Sequence, residues 1–252
     1  MNFKANLQKN LKGKTVLITG GSKRIGKSIA LAFAQKGANV LIHYHRSLKE
    51  ATCLVCELRS HKVKSKAYHA DLSQVAEISR LAGRIQRDFS KIDILVHNAS
   101  VFYPVDFEKV LEKNWDDFLN IHVKAPFFLV QKLLPALKKG KASVIMIGDK
   151  VPTRPKARFL PYEVSKEALT SLTRKLAIYL APHVRVTCVQ PGLILPPKNL
   201  SQAAQKRLAQ ENLLKSWGCQ EDVAKAVVFL AEQPFVTGAE LVVDGGQFVS
   251  RL

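Results

Sequence analysis

The stretch that decides the fold is TVLITGGSKRIGKSIALAFAQKGA, residues 15–38, where an apolar run leads through a glycine-rich turn into a segment of helical period. Gly20, Gly21 and Gly26 permit the tight turn, and Gly26 also lets the helix start close to the strand. Backbone N–H groups at such a helix start face an anion such as phosphate. A plain glycine-containing turn is the alternative. The strand before it and the helix after it favour a dinucleotide-binding turn.

The same alternation of apolar β-rich runs and helical segments continues along the chain, which is typical of βαβ units that build a parallel sheet. Strands are predicted at residues 14–19, 39–44, 63–68, 92–97, 142–147, 184–190 and 240–243. Helices are predicted at residues 24–36, 48–60, 73–89, 114–138, 162–181 and 220–232. The sequence therefore predicts an α/β fold in which residues 1–252 form a single doubly wound (Rossmann) domain, with a seven-stranded parallel sheet flanked by helices on both faces. Irregular stretches at 98–107, 148–160 and 191–200 each follow a strand, at the edge where ligands bind in such sheets.

Composition limits the classes of function. The chain has 252 residues, 47% of them hydrophobic, which suffices for one sizeable core. No window reaches the roughly 18 apolar residues of a membrane-spanning helix. The first residues also do not resemble a signal peptide, so we expect a cytoplasmic protein without a membrane partner. With 39 Lys+Arg against 20 Asp+Glu, the formal net charge is +19, which favours anionic partners. The basic residues are scattered, and this argues against a nucleic-acid surface.

The four cysteines fit a reducing compartment. Cys53 and Cys56 lie three residues apart in a predicted helix, and Cys188 and Cys219 are isolated. Because no second pair and no histidine pair accompanies it, this CxxC is interpreted as two packed thiols, and no metal site is predicted.

The second predicted strand ends in HYHRS, residues 43–47, where a dinucleotide-binding fold faces the adenosine ribose. Arg46 follows Gly26 by 20 residues. An NAD-selective site carries an acidic residue at this point, whereas an arginine pairs with the 2′-phosphate of NADP. The sequence therefore predicts NADP(H) as the cofactor. Lys23 and Arg24 of the glycine turn would add to the same phosphate pocket.

Five motifs share the order and approximate spacing of the short-chain dehydrogenase/reductase superfamily: TGGSKRIG, HNAS, YEVSK, QPG and VDGG. The sequence resembles this superfamily over nearly its whole length, which implies an NADP(H)-dependent oxidoreductase with Tyr162 and Lys166 at its catalytic centre. Four residues apart on a helix, these two side chains share one face. The neighbouring ammonium is expected to lower the pKa of the Tyr162 phenol towards the working pH.

Position 149 departs from the superfamily, which normally has a serine there that donates a hydrogen bond to a substrate carbonyl. An ionised Asp149 can only accept hydrogen bonds, so a routine ketone reductase is disfavoured. The aspartate matches the pteridine reductase branch, which HYHRS and NASVFYP (residues 98–104) also resemble. This resemblance implies reduction of biopterin-like, dihydropterin or dihydrofolate-like substrates. Phe102 would stack on the planar ring, and Tyr162 would deliver the proton.

The site residues follow from these motifs and from the resemblance. The catalytic residues are Asp149, Tyr162 and Lys166. The cofactor-binding residues are Gly20, Lys23, Arg24, Ile25, Gly26, Tyr44, His45, Arg46, Ser47, Asp71, Leu72, Asn98, Ala99, Ser100, Tyr162, Lys166, Pro191 and Gly192. The substrate-binding residues are Arg24, Ser100, Phe102, Asp149, Tyr162 and Leu193. Asp71 would accept from the adenine amino group, although a loop cap for the next helix is nearly as good an interpretation.

Two further features leave alternatives open. His122 stands where the superfamily usually has an asparagine that anchors a water; it holds that water through a ring nitrogen, or it is a packed or interface histidine. Segment 191–215 is expected to form a loop or helix over the substrate, but its residues specify no particular one. By resemblance, helices 114–138 and 162–181 pack a homotetramer. The competing functions are a carbonyl reductase, such as a 3-oxoacyl thioester reductase, and a non-catalytic NADP(H)-binding regulator or polyanion-binding protein.

Overall fold

The computed structural model describes residues 11–150, 158–196 and 200–249. In this part of the chain the strands are β1 (Thr15–Thr19), β2 (Asn39–Tyr44), β3 (Ser65–His69), β4 (Ile94–His97), β5 (Ser143–Ile147), β6 (Arg185–Pro191) and β7 (Glu240–Val243). The helices are α1 (Arg24–Gln35), α2 (Leu48–Ser60), α3 (Val75–Asp88), α4 (Glu112–Leu119), α5 (Ala125–Gly140), α6 (Leu160–Leu180), α7 (Gln202–Ala209) and α8 (Gln220–Glu232). A π-helical turn (Asn120–Lys124) joins α4 to α5, and a short 3₁₀ turn (Phe107–Lys109) precedes them.

The strands form one parallel sheet in the order β3-β2-β1-β4-β5-β6-β7. The predicted single-domain doubly wound fold with seven parallel strands is therefore confirmed. The strand order reverses between β1 and β4, so the loops after these two strands lead to opposite faces of the sheet. Ligands bind in the crevice that such a reversal opens at the carboxyl edge.

Both faces of the sheet carry helices because the strands are apolar on both sides. All five residues of β1 are buried. Val16 and Ile18 belong to a core cluster with α1, α2 and α8, whereas Leu17 belongs to a cluster with α3, α5 and α6. Strands buried on both faces are typical of parallel sheets. The two helix layers hold the sheet as a rigid platform for the loops at its carboxyl edge.

The predicted helix 114–138 is wrong as a continuous element. The structure has α4 from Glu112, then the π-helical turn, then α5 as far as Gly140. A π turn adds one residue to the helical repeat and often occurs at functional sites. Here it carries His122, which is only 1% exposed.

Strand β4 also starts later than predicted, at Ile94 instead of residue 92. The Ile92 N–H donates to the carbonyl of Ala136 in α5 at 3.2 Å, so this residue binds a helix and not a neighbouring strand. The apolar run alone could not indicate this, because Ile92 is fully buried like the strand residues that follow it.

The interpretation of Cys53 and Cys56 as packed thiols is wrong, because both are exposed free cysteines. Helix α2 turns Ala51, Leu54 and Leu58 inwards, and the two cysteines lie on its other side. Among the described residues, no group of three or more His, Cys, Asp or Glu side chains could hold a metal ion. No helix within the same ranges has the length and apolar character needed to cross a membrane.

The predicted substrate-covering segment 191–215 contains α7, whose N-terminus is capped by the Ser201 hydroxyl accepting from the Ala204 N–H at 3.2 Å. Residues 197–199 of this segment lie outside the described residues. Residues 151–157 of the predicted irregular stretch 148–160 do so as well.

Candidate active site

The glycine turn after β1 is locked against the start of α1. Gly20 has a φ of +60°, and the Asn98 side-chain amide donates to the carbonyls of Thr19 at 3.1 Å and Gly20 at 2.9 Å. A Cβ on Gly26 would overlap the Gly20 carbonyl oxygen and the Asn98 amide nitrogen. Only a glycine at position 26 therefore allows α1 to begin this close to the turn.

His43 stabilises the same turn through hydrogen bonds. It was not among the predicted site residues. Its Nδ1 accepts from the Gly20 N–H at 3.2 Å, and its Nε2 donates to the Ala70 carbonyl at 3.0 Å. The His43 carbonyl also accepts from the Gly21 N–H at 3.0 Å. Burial lowers the pKa of His43 to about 4, which keeps the ring neutral. The HYHRS stretch thus begins with a structural histidine that fixes the turn, and it continues into the exposed His45 and Arg46 and the half-buried Ser47.

The start of α1 has the properties of an anion site. Its first turn contains no acidic residue, and the first N–H groups of a helix have no partner within the helix. Arg24 is exposed there with a φ of +52°, at the position where the superfamily turn usually has glycine. Lys23 forms an ion pair, with its Nζ 2.6 Å from Oε1 of Glu50 in α2, and its part in the phosphate pocket stays a prediction. This exposed ion pair offsets the Lys23 charge.

The end of β2 presents the predicted ribose-side cluster. His45 and Arg46 are exposed, and Ser47 stands at the N-cap of α2 with no capping hydrogen bond from its side chain among the described residues. Asp71 faces this cluster, with Oδ2 4.0 Å from Nε2 of His45. Its Oδ1 accepts from the Ser73 N–H at 2.9 Å, which is the loop-cap arrangement. The arrangement fits a cofactor with a phosphate on the ribose, because an exposed arginine stands where an NAD site has an acid.

The structure brings Asp149, Tyr162 and Lys166 together between β5 and α6. The Tyr162 hydroxyl donates to Oδ2 of Asp149 at 2.7 Å. The Lys166 ammonium donates to the Ile147 carbonyl at 3.0 Å and lies 5.7 Å from the centre of the Tyr162 ring. Lys166 is only 3% exposed. The carboxylate, the phenol and the ammonium therefore form one cluster, in which Lys166 is buried and Asp149 and Tyr162 are half-buried.

The charges in this cluster act differently from the expectation. Burial raises the pKa of Tyr162 well above its ordinary value, and the charge and hydrogen bond of Asp149 raise it further. Burial also lowers the pKa of Lys166, while the Asp149 charge opposes that change. The predicted lowering of the Tyr162 pKa is therefore wrong, because burial and Asp149 set the direction of its shift. The phenol is therefore protonated at neutral pH and carries the proton that a donor must supply.

Aromatic rings form one wall beside this cluster. Phe102 stacks on Phe159 with ring centres 4.9 Å apart and an interplanar angle of 5°, and it meets the Tyr162 ring edge-on at 4.8 Å. Phe102 remains 62% exposed and lies outside the core. Phe159 was not among the predicted site residues; it directly precedes α6 and stacks on Phe102. This wall offers flat apolar area to a planar ligand.

His122 is packed inside the protein and connects the loop after β4 with α6. Its Nε2 lies 2.8 Å from Oγ of Ser100, and its Nδ1 lies 2.7 Å from Oγ of Ser165. Burial lowers the pKa of His122 to about 2, with a smaller effect from the Lys166 charge. Of the two alternatives, a packed histidine describes this position, and its hydrogen bonds reach the exposed Ser100.

The other assigned residues line the same edge of the sheet. Pro191, the last residue of β6, and the following Gly192 and Leu193 are half-buried, and the Gly192 N–H donates to the Val243 carbonyl at 3.0 Å. The remaining positions lie beside the glycine turn and the ends of β2, β3 and β4. Leu72 is buried, and Ile25, Tyr44 and Ala99 are half-buried.

A family model described as enoyl-(acyl carrier protein) reductase matches residues 20–247. The 3-oxoacyl-(acyl-carrier-protein) reductase FabG of Staphylococcus epidermidis is 29% identical and aligns over 94% of this chain and 99% of its own length.

Solved structures are similar in fold as well as in sequence. A blue fluorescent protein from a metagenomic library, in complex with NADPH, superposes with a TM-score of 0.88 at 31% identity, over 95% of this chain and 99% of that chain. FolM alternative dihydrofolate reductase 1 from Brucella canis, complexed with NADP, superposes with a TM-score of 0.86 at 29% identity, over 96% of each chain.

Proposed function

The chain belongs to the short-chain dehydrogenase/reductase superfamily, and from that premise we propose that it is an NADPH-dependent reductase of pterins. The substrate class comprises biopterin-like, dihydropterin and dihydrofolate-like heterocycles. The similarity to a dihydrofolate reductase of the same fold supports this proposal.

The cofactor is NADP(H), which structural neighbours of this chain bind. When bound, it supplies the hydride for the reaction. We propose that Arg46, His45 and Ser47 hold the 2′-phosphate at the end of β2. The start of α1, with the exposed Arg24, would face the pyrophosphate. Asn98 acts on the cofactor indirectly, because its side chain is used to hold the glycine turn.

The observation that carries the proposal is the carboxylate of Asp149 at the position where ketone reductases of this superfamily have a serine. A serine hydroxyl donates to a substrate carbonyl, whereas a carboxylate can only accept. Asp149 already accepts from the Tyr162 hydroxyl at 2.7 Å. An amino group or ring N–H of a pterin would be a suitable second donor. A carbonyl oxygen in the same place would be repelled.

The cluster can deliver a proton to the ring nitrogen of a C=N bond as the ring carbon accepts the hydride. Tyr162 holds a proton at its hydroxyl because burial and the Asp149 charge disfavour the phenolate. Once that proton leaves, the ammonium of Lys166 beside the ring stabilises the negative charge. Phe102 and Phe159 position the planar ring and exclude water from one side. We also propose that segment 191–215 covers the substrate.

A second candidate is the reduction of 3-oxoacyl thioesters, which the similarity to FabG favours. This reaction needs a hydrogen-bond donor for the carbonyl oxygen. Tyr162 supplies one, but Asp149 supplies none. We therefore place this activity second.

Exchanging Asp149 for serine tests the proposed function. We expect Asp149→Ser to lower the ratio of pterin to 3-oxoacyl thioester turnover, measured as kcat/KM, on the order of 100-fold, as expected for removing one charged hydrogen bond and gaining a neutral one. Asp117→Ser is the matched control, because Asp117 also accepts from a tyrosine hydroxyl, that of Tyr103, at 2.9 Å. An unchanged ratio in Asp149→Ser, or an equal change in the control, would refute the role of Asp149.

We further propose a homotetramer packed through the 114–138 and 162–181 regions. Large apolar side chains on these helices are exposed in the single chain, among them Ile178 at 76% and Tyr179 at 80%. Exposed apolar side chains on these helices support an association surface there. The mass of the protein in solution tests this assembly.

A further inference from the structure

The hydrogen bonds of His122 fix the direction of a hydroxyl at the edge of the active site. His122 lies in the π-helical turn, and its ring connects Ser100 and Val101, in the loop after β4, with helix α6. Its Nε2 receives the Val101 N–H at 3.3 Å and lies 2.8 Å from Oγ of Ser100. Its Nδ1 lies 2.7 Å from Oγ of Ser165.

Two independent contacts assign the tautomer of this ring. The Ser165 hydroxyl donates its only proton to the Tyr162 carbonyl at 2.6 Å, so towards His122 it can only accept. Nδ1 of His122 must therefore carry the proton. At the other end of the ring, the Val101 N–H can only donate, so Nε2 must be unprotonated. Both contacts require the same neutral form, and burial maintains it by lowering the pKa of His122 to about 2.

We propose that His122 is a specificity-determining residue: its Nε2 accepts the hydrogen bond of the Ser100 hydroxyl, so that Ser100 can only accept hydrogen bonds from the substrate. The inference deepens the proposed function and rests on its assignment of Ser100 to the substrate pocket. The 2.8 Å contact is a hydrogen bond to an unprotonated nitrogen, which only the Ser100 hydroxyl can donate. The Val101 carbonyl, the other acceptor near this hydroxyl, is farther away at 3.4 Å. The lone pairs of its oxygen then remain for a ligand, because Ser100 is exposed.

With its proton donated to His122, the Ser100 hydroxyl is a hydrogen-bond acceptor, as the Asp149 carboxylate is. Ser100 is two residues from Phe102, whose ring contacts Tyr162, and Tyr162 binds Asp149. Ser100 also binds His122, whose ring centre is 5.6 Å from that of Tyr162, so Ser100 and Asp149 are two acceptors linked to the surroundings of Tyr162. Planar heterocycles with amino or ring N–H groups satisfy both. A ligand that places carbonyl oxygens at these points leaves them facing lone pairs, which costs affinity.

Two substitutions at His122 distinguish the contribution of its Nδ1 from that of its Nε2. Asparagine keeps a donor near the Nδ1 position for Ser165 but has no atom at the Nε2 position. Glutamine reaches that position with its amide oxygen, an acceptor for Ser100. The probes are 2,4-diaminopteridine and 2,4-dioxopteridine, which share a ring system and differ in presenting amino groups or oxygens. Their dissociation constants are measured with the NADP-bound protein.

We expect the wild type to prefer the diamino ligand, and His122→Asn to reduce this preference about tenfold, since one hydrogen bond contributes about a factor of ten. His122→Gln should retain most of the preference. In a Ser100→Ala background, His122→Asn should produce no further change, because the effect acts through Ser100. The ¹⁵N resonances of His122 should show the Nδ1-protonated tautomer in the wild type.

A preference that His122→Asn leaves unchanged, or changes equally in the Ser100→Ala background, overturns the inference while pterin turnover by the wild type upholds the proposed function. An Nε2-protonated tautomer also overturns it, whatever the substrate is. Failure of the wild type to bind either pteridine or to reduce any pterin overturns both.

Discussion

Replacing Tyr162 with phenylalanine is expected to lower kcat for pterin reduction by about 10²- to 10⁴-fold, the usual contribution of a positioned proton donor. The hydroxyl is the group that holds a proton beside Asp149, at 2.7 Å. Phenylalanine keeps the ring that contacts Phe102 and His122, so the aromatic wall should persist. NADPH affinity should stay within about tenfold of the wild type, because only one hydroxyl is lost.

Tyr179→Phe is the matched control for this experiment. Tyr179 lies on the same helix, is 80% exposed and has no part in the proposed chemistry. The measurement is steady-state turnover together with NADPH binding for both variants. Undiminished turnover in Tyr162→Phe would exclude the phenol as the proton donor.

The second large effect is expected at the end of β2. Arg46→Glu should weaken NADPH binding on the order of 100-fold, because it replaces a charged hydrogen-bond donor to the 2′-phosphate with a repelling carboxylate. NADH has a hydroxyl in place of that phosphate, and a carboxylate accepts from it in NAD-selective sites. NADH binding should therefore change little or improve. Dissociation constants for both cofactors give the comparison.

Lys139→Glu makes the same change in net charge at the end of α5, near the amino edge of the sheet. It reports how far the strongly basic surface alone attracts NADPH. If Arg46→Glu weakens NADPH and NADH equally, or no more than Lys139→Glu does, Arg46 does not bind the 2′-phosphate.

Regular patterns were sufficient to predict the fold. The glycine turn, the apolar strands and the helical segments each reflect local physics, and the structure confirms the doubly wound sheet. The π-helical turn at His122 could not be predicted, because one inserted residue changes the periodicity too little to be recognised in a single sequence. Position 122 was noticed only because it has a histidine where the superfamily usually has an asparagine.

Only part of the candidate site could be predicted from the sequence. Motif spacing brought Asp149, Tyr162 and Lys166 together, but spacing does not determine which group a side chain contacts. Lys23 pairs with Glu50 on another helix, and Phe159 reaches Phe102 from a distant part of the chain. The pKa of Tyr162 also depends on burial, which two residue types at a fixed spacing cannot indicate.

The most direct test of the central claim is NADPH oxidation by the wild-type protein with dihydrobiopterin, dihydrofolate and an acetoacetyl thioester, each titrated separately. We predict turnover with at least one of the two pteridines and a kcat/KM for it well above that for the thioester. Turnover with the thioester alone would contradict the pterin assignment and leave a carbonyl reductase. Binding of NADPH without turnover of any of the three would contradict the enzyme assignment and favour a cofactor-binding regulator.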